Sequence, residues 1–366
     1  MTAADPDHMA HALRLAARGL GNAWPNPAVG CVIVAGDAIV GRGWTQPGGR
    51  PHAEAMALAQ AGSAAAGATA YVTLEPCAHH GQTGPCASAL IAARVARVVT
   101  ALTDPDPRVS GRGHAMLRAA GVEVAEGVRG PEAAELNAGF VRRVTQGLPL
   151  VTLKLAASLD GRIAMASGIS RWITGPQARR AVHAMRLRHD AVLVGAGTAR
   201  ADDPDLTVRD MGASRQPLRI VLDPRLSHRV DSRLGASARQ VPVWMLHGDE
   251  APAAARDAWA AAGARLIALP DRGAATALRA LAALGLTRIL CEGGPTLAAS
   301  LIREGLVNEL ALFTGGVLIG DDGRAAIGPL GHDLLDEAPR PRLTGIEAMG
   351  PDTLSLWSFG GADGGT

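Results

Sequence analysis

Hydrophobic and polar positions alternate along the chain in a helix–strand rhythm. His8 to Arg18 reads as an amphipathic helix. The apolar runs Val29–Val34 and Ala38–Gly43 flank Ala35-Gly36-Asp37 and predict a hairpin. A helix is predicted from Pro51 to about Gly62, a strand over Ala68–Leu74, a helix over Cys86–Arg94 and a strand over Ala96–Leu102. A helix near His114, the strand Val122–Ala125 and a helix after Pro131 complete this half. Gln146-Gly147-Leu148-Pro149 breaks the pattern, and the strand Leu150–Ala156 opens a second half. There, strands are predicted at Asp190–Val194, Leu218–Leu222, Val241–Leu246 and Arg288–Cys291, and helices start near Pro176, Pro252, Ala275 and Pro295. Strands separated by helices of 10–15 residues imply layered α/β domains, mostly parallel after the opening hairpin, with domains at 1–146 and 150–360.

The candidate chemistry of the first half lies in Pro51-His52-Ala53-Glu54, Pro76-Cys77 and Pro85-Cys86. His52, Cys77 and Cys86 supply one imidazole and two thiolates. Three protein ligands with a fourth position for water make a catalytic rather than a structural zinc site. Residues i and i+2 do not share a helix face, so His52 and Glu54 converge only if His52 sits at the helix entry. Cys86 would open the next helix, where the dipole and free N–H groups favour a thiolate. Zinc lowers the pKa of bound water toward about 7. Glu54 would take the water's proton and pass it to a leaving amine. This matches the zinc-deaminase signature in part, with the two Cys nine apart instead of three. The competing reading is a closed site with His79 or His80 as fourth ligand, which leaves Glu54 without a role. Cys31 and Cys291 lie in apolar strands and read as core.

Lys154 is the single lysine of the chain, inside the apolar strand Leu153–Leu155. A charge there is costly unless it is paired or functional; an edge-strand position reaching solvent is the bland alternative. Val194-Gly195-Ala196-Gly197-Thr198 follows a strand but lacks the third Gly of a dinucleotide turn. Glu292-Gly293-Gly294-Pro295 ends a strand and starts a helix, and so offers backbone N–H groups to a phosphate, or is an ordinary tight turn.

Composition narrows the classes. At about 150 residues per domain, 366 residues suit two domains. The 48% hydrophobic content argues against disorder along the chain. A net charge of +2, three Phe and one Tyr argue against a nucleic-acid binder. No signal peptide and no run near about 18 apolar residues is visible, so no membrane span is expected. Four Cys are no disulfide framework, and a reducing cytoplasm is the expected compartment.

Asn26-Pro27-Ala28-Val29-Gly30, His52-Ala53-Glu54 and the segment from Glu75-Pro76-Cys77 through His79-His80-Gly81 to Pro85-Cys86 closely resemble the bifunctional riboflavin biosynthesis protein family. The resemblance runs from about His8 to about Phe359. It implies a cytidine-deaminase-like α/β/α domain followed by a dihydrofolate-reductase-like α/β domain that uses NADPH, and a homodimer. It implies deamination of 2,5-diamino-6-ribosylamino-4(3H)-pyrimidinone 5′-phosphate, then reduction of the ribosyl group to ribityl, with phosphorylated pyrimidines and neither nucleic acid nor membrane as partners. By this resemblance Asn26 and His79 hold the pyrimidine edge and Thr83 lies near the ribose phosphate. Ala156, Trp172, Thr198, Asp202, Gly294, Pro295, Thr296 and Leu297 line the cofactor. Lys154, Ser170, Arg186, Leu206, Arg209 and Glu292 face the substrate, with Arg186 and Arg209 suited to a phosphate. Lys154 and Glu292 are expected to pair near the carbon that receives hydride, assisting proton delivery. Thr45, Gln82 and Asp106 stand where His, Lys or Arg, and Asn are usual. All three are expected near the phosphate end, where losing a cation and adding a carboxylate weaken phosphate binding unless a neighbour such as Arg50 compensates.

Overall fold

The computed structural model describes residues 2–78, 84–106, 109–213 and 215–360. The chain divides into two units, one made of Met1–Leu148 with Leu284–Thr287, the other of the remainder.

The first unit runs α1 (Asp5–Ala16), β1 (Gly30–Ala35), β2 (Ala38–Trp44), α2 (Ala53–Ala61), β3 (Thr69–Val72), α3 (Cys86–Ala92), β4 (Arg97–Thr100), α4 (Arg112–Ala119), β5 (Glu123–Ala125), α5 (Gly130–Leu136) and α6 (Ala138–Gln146). Its sheet has the order β2-β1-β3-β4-β5. β1 is antiparallel to β2 and to β3, whereas β3, β4 and β5 are parallel. Successive strand residues face opposite sides. Ile33 and Val72 accordingly pack with Ala57, Leu90 and Leu117, while Val32 and Tyr71 pack with Met9, Leu13 and Ala133. These two cores make the α/β/α sandwich. The helix expected after Pro131 is two helices, broken at Asn137. The Asn137 side chain accepts from the Ala28 N–H (3.0 Å) and donates to the Ala28 carbonyl (3.1 Å).

Two close contacts fix this unit. α2 lies so near β2 that a Cβ on Gly43 would stand 2.1 Å from the Ala53 carbonyl oxygen. Asp5, fully buried at the start of α1, accepts both terminal guanidinium nitrogens of Arg97 (2.9 and 2.8 Å) and the Tyr71 hydroxyl (3.0 Å). One carboxylate thereby joins α1 to β3 and β4.

The second unit runs β6 (Leu150–Ser158), β7 (Arg162–Ala164), α7 (Pro176–Leu187), β8 (Ala191–Gly195), α8 (Ala196–Asp202), β9 (Leu218–Leu222), α9 (Arg233–Ala236), β10 (Val243–His247), α10 (Ala253–Ala262), β11 (Arg265–Ala268), α11 (Ala274–Ala283), β12 (Arg288–Cys291), α12 (Pro295–Arg303), β13 (Glu309–Gly315), β14 (Arg324–Ala325), β15 (Arg342–Met349) and β16 (Asp352–Ser358). Nine strands form one sheet in the order β11-β10-β9-β8-β12-β6-β13-β16-β15, and β7 pairs with β14 separately. The seven strands from β11 to β13 are parallel; β16 and β15 add antiparallel at one edge. β6 is central, between β12 and β13, so Lys154 is not on an edge strand. β10 starts at Val243, two residues later than expected, because Pro242 has no N–H for the ladder.

The Arg97 guanidinium holds the Asp5 carboxyl well below the usual carboxylate range. A carboxyl depressed on folding stabilises the native state above its unfolded pKa of about 4, and that contribution is lost as the pH falls. Asp5→Asn takes the buried partner from Arg97 and leaves it only the exposed Glu123 carboxylate (2.8 Å), and urea unfolding at pH 7 is expected to show a loss of about 3 kcal/mol, shrinking as the pH is lowered below 4.

Candidate functional site

α2 begins at Ala53, two residues after Pro51, with His52 as its extended N-cap (φ −69°, ψ 160°). This entry position lets His52 and Glu54 turn toward the same place. Cys86 is the first residue of α3. Its N–H donates to Cys77 Sγ (3.3 Å), and the Ala87 N–H donates to the Cys77 carbonyl (3.2 Å). His52 Nδ1 lies 3.3 Å from Cys86 Sγ and 3.8 Å from Cys77 Sγ, and the three donor atoms all lie within 4.8 Å of one another. Tetrahedral zinc with Zn–S of about 2.3 Å and Zn–N of about 2.0 Å separates its donors by roughly 3.5–3.8 Å, so this donor set fits that ion.

The electrostatics follow from burial and proton sharing. The Cys77 thiol is drawn down to about 4, chiefly because Cys86 donates to it, with His52 and the Cys86 N–H assisting. Cys86 moves far up because Cys77 and burial hold its proton. His52 is raised by its bond to Cys77. Glu54 is 4% exposed, and burial raises its carboxyl while His52 opposes. The Cys86 thiol also helps hold the Glu54 carboxyl down. A divalent cation bound by these donors takes the place of the shared protons. Asn26 Nδ2 donates to the Gly49 carbonyl (3.0 Å) and sits 3.4 Å from His52 Nε2. Gly49 has φ +86°, and a Cβ there would meet Asn26 at 2.6 Å.

A second cluster occupies the carboxyl ends of the parallel strands of the other unit, the usual ligand crevice of such sheets. Cys291 of β12 pairs with Leu153 of β6, so Glu292 follows at the level of Lys154. The Glu292 N–H donates to the Leu193 carbonyl of β8 (2.9 Å). Arg186, from α7, grips Glu292 through Nε (2.6 Å) and a terminal nitrogen (3.0 Å), and its other terminal nitrogen donates to the Thr207 carbonyl (2.6 Å). Burial works against the Glu292 charge, yet Arg186 outweighs it and holds the carboxyl at about 2. Burial lowers Lys154, Glu292 and Asp202 pull it back up, and Arg186 lowers it. Alongside, α8 and α12 start from Gly195 and Gly294, both extended and neither capping its helix with a side chain. A Cβ on Gly294 would stand 2.9 Å from Thr198 Oγ1, and one on Gly293 2.7 Å from Leu297 Cδ2. Two helix starts without side-chain caps thus meet here, with Gly293 and Gly294 packed closely on Leu297 and Thr198, a cradle suited to phosphate groups of a dinucleotide.

Comparison with known proteins matches a family model to each unit. The family model for the cytidine and deoxycytidylate deaminase zinc-binding region matches residues 2–102, and that for the RibD C-terminal domain matches residues 149–355. The chain is 44% identical over 367 residues to riboflavin biosynthesis protein RibD of Escherichia coli (strain K12), covering 95% of this chain and 97% of that one. The chain belongs to the RibD family. Among solved structures, Acinetobacter baumannii RibD is similar with a TM-score of 0.89 and 38% identity over 98% of this chain and 99% of that one. The Thermotoga maritima protein named diaminohydroxyphosphoribosylaminopyrimidine deaminase/5-amino-6-(5-phosphoribosylamino)uracil reductase gives 0.86 and 34% over 97% and 98%. As a RibD family member, the chain carries a zinc-binding deaminase domain and an NADPH-dependent reductase domain of riboflavin biosynthesis.

Not every expected RibD residue stands where the sequence put it. Glu292 is taken by Arg186 rather than Lys154, because a planar guanidinium satisfies both carboxylate oxygens. Arg186 is therefore largely committed before any phosphate arrives. Arg209 donates to Asp205 Oδ2 (3.2 Å). Leu206 is buried with φ +55°, beside the carbonyl that Arg186 holds. Trp172 is 69% exposed, with the Arg179 guanidinium 4.4 Å from its ring centre. Ala156 and Ser170 are half-buried, and Arg171 donates to the Asp202 carbonyl (3.0 Å). Thr45 does not present its side chain to a ligand: it is buried, and its hydroxyl accepts the Val29 N–H (2.9 Å). Asp106 is buried, and its N–H donates to Asp104 Oδ1 (2.9 Å). His79, His80, Gln82 and Thr83 lie outside the described residues. Sequence reasoning missed Asn137, which clamps the Asn26–Ala28 segment, and His183, whose Nδ1 accepts the Arg209 N–H (3.4 Å). Asn137 sits inside a helical pattern, and only its polarity marks it.

Gly43→Ala forces α2 off β2 and moves His52 and Glu54 with it. Metal analysis of the purified variant is expected to give well below one zinc per chain, with a lower melting temperature.

Proposed function

We propose that the first unit hydrolyses the exocyclic amine of 2,5-diamino-6-ribosylamino-4(3H)-pyrimidinone 5′-phosphate, and that the second reduces the ribosyl group of the product to ribityl with NADPH. The observation that carries the first step is the convergence of His52 Nδ1 and the Cys77 and Cys86 sulfurs beside the buried Glu54. These three are the proposed zinc ligands. Zinc, when bound, activates water for attack on the amidine-like ring carbon. Burial raises Glu54, which suits a carboxyl that accepts a proton from water and returns it to the leaving nitrogen. Water adds, the C–N bond breaks, and ammonia leaves, so no redox partner is required. Asn26, fixed through Gly49 and beside His52, is placed to hold the ring edge.

In the second unit the cofactor supplies hydride, and the chain supplies placement and a proton. Lys154 is the proposed proton donor to the sugar oxygen. It sits half-buried on a central strand, and Glu292 and Asp202 favour its charged form against burial. Thr198 and residues Gly294–Leu297 form the proposed cofactor cradle, with Trp172 and Asp202 beside it. Among the described residues no helix is long and apolar enough to cross a membrane. The reading takes the cytoplasm, where thiols stay reduced, as its compartment and a homodimer as its assembly.

The test is metal analysis with ammonia release and NADPH consumption on the purified chain. Absence of zinc or of ammonia release from the free pyrimidine nucleotide overturns the deaminase assignment. Glu54→Gln is expected to keep zinc, to lose about 10²–10⁴-fold in ammonia release, and to leave NADPH oxidation on the deaminated substrate unchanged. Lys154→Met is expected to do the reverse. Removing the Glu292 charge takes away the stronger of the two groups that raise Lys154 and leaves the nearby Arg186 charge, so Glu292→Gln shifts the alkaline limb of the reductase pH–rate profile to lower pH; an unshifted limb argues against Lys154 as the titrating group.

A further inference from the structure

Glu75 stands two residues before Cys77, is buried, and has no part in the chemistry above. Its side chain is surrounded by backbone donors from a single distant stretch. Oε2 accepts the N–H of Asp104 (3.2 Å) and of Gly111 (2.9 Å), and Oε1 accepts the N–H of Gly113 (2.8 Å) and of His114 (3.3 Å). Gly113 and His114 belong to the first turn of α4, whose N–H groups have no intrahelical partner. The intervening Pro76 is pinned as well: a Cβ on Gly113 would stand 2.0 Å from its carbonyl oxygen. Glu75's own N–H donates to the Leu102 carbonyl (2.8 Å).

Cys77 is therefore tied from two sides. On its C-terminal side, the start of α3 binds its sulfur and its carbonyl. On its N-terminal side, the start of α4 binds Glu75. We infer that Glu75 is a positioning residue for the metal centre: by gathering four N–H groups of the 104–114 segment it fixes the backbone from which Cys77 presents its sulfur. The inference rests on the zinc reading of the site but goes beyond its ligands.

A helix cap alone contributes to stability without changing how firmly a metal is held. A clamp on a ligand's backbone lets the ligand swing away when it is cut. In Glu75→Gln one oxygen becomes an NH₂ group facing N–H donors, so half of the clamp turns repulsive. The experiment measures zinc release from the zinc-loaded full chain into excess EDTA with a zinc-sensitive dye. Glu75→Gln is expected to release zinc about 10–100-fold faster than the parent chain, the range typical of lost outer supports of metal ligands. Asp5→Asn serves as the control: it weakens the same unit through a carboxylate that makes none of the clamp's bonds and is expected to release zinc at the parent rate. If Glu75→Gln does not fold, Gly113→Ala presses on the Pro76 carbonyl from the α4 side and is expected to show the same acceleration. Parent-like release from whichever of the two variants folds overturns the positioning role. A parent chain that takes up no zinc overturns the zinc reading itself, so the two failures are told apart.

Discussion

The first unit depends on a helix start being delivered to a sulfur. The Cys86 N–H reaches Cys77 Sγ, nine positions earlier in the chain. A thiolate in a buried site is costly unless N–H groups and a dipole face it. α3 supplies both, and its first residue is itself a ligand candidate. His52 arrives from a different helix by the same device, as the extended residue before α2. What sets α2 in place is backbone contact, since Gly43 lets the Ala53 carbonyl come as near as the strand permits. The chemistry of the site thus rests on helix ends, and the helix ends rest on glycine at the sheet.

Two sulfurs, an imidazole and the Glu54 carboxyl share this small buried volume. Left to themselves they hoard protons, which is why Cys86 and Glu54 are raised while Cys77 alone is lowered. Such a cluster is unfavourable as a purely structural feature, because burial and the neighbouring Cys77 oppose ionisation of both Cys86 and Glu54. A divalent cation reverses that balance for all of them together. The second unit solves the same problem with covalently attached charge. Arg186 neutralises Glu292 in place, and that pair then sets the field that Lys154 feels.

The fold was legible where the chain alternates strongly. Both domains, the opening hairpin and the parallel run Leu150–Cys291 follow from apolar stretches punctuated by Gly and Pro. Legibility ended where periodicity did. β15 is exposed along nearly its whole length and so carries no buried face to read, and α8 begins directly after β8, where the Gly-containing sequence suggested only a turn. Of the candidate sites, the His52, Glu54, Cys77 and Cys86 set was readable because few residue types bind zinc and their spacing permits one meeting point. The partner of Glu292 was not readable, because Arg186 lies 106 positions away and only the packing of α7 against the sheet brings it near.

The departure at Thr45 shows how local structure can absorb a change that sequence reasoning assigns to a ligand. Thr45 follows the last residue of β2, and its hydroxyl takes the Val29 N–H while its own N–H donates to the Val29 carbonyl (2.9 Å). This extends the β1–β2 ladder by one polar link just where Asn26–Val29 must hold its shape. The Asn137 amide performs the same service for Ala28. The segment entering β1 is therefore held by side chains standing in for a strand, and Asn26 inherits its position beside His52 from them. A residue at position 45 able to contact a phosphate would have to give up that link.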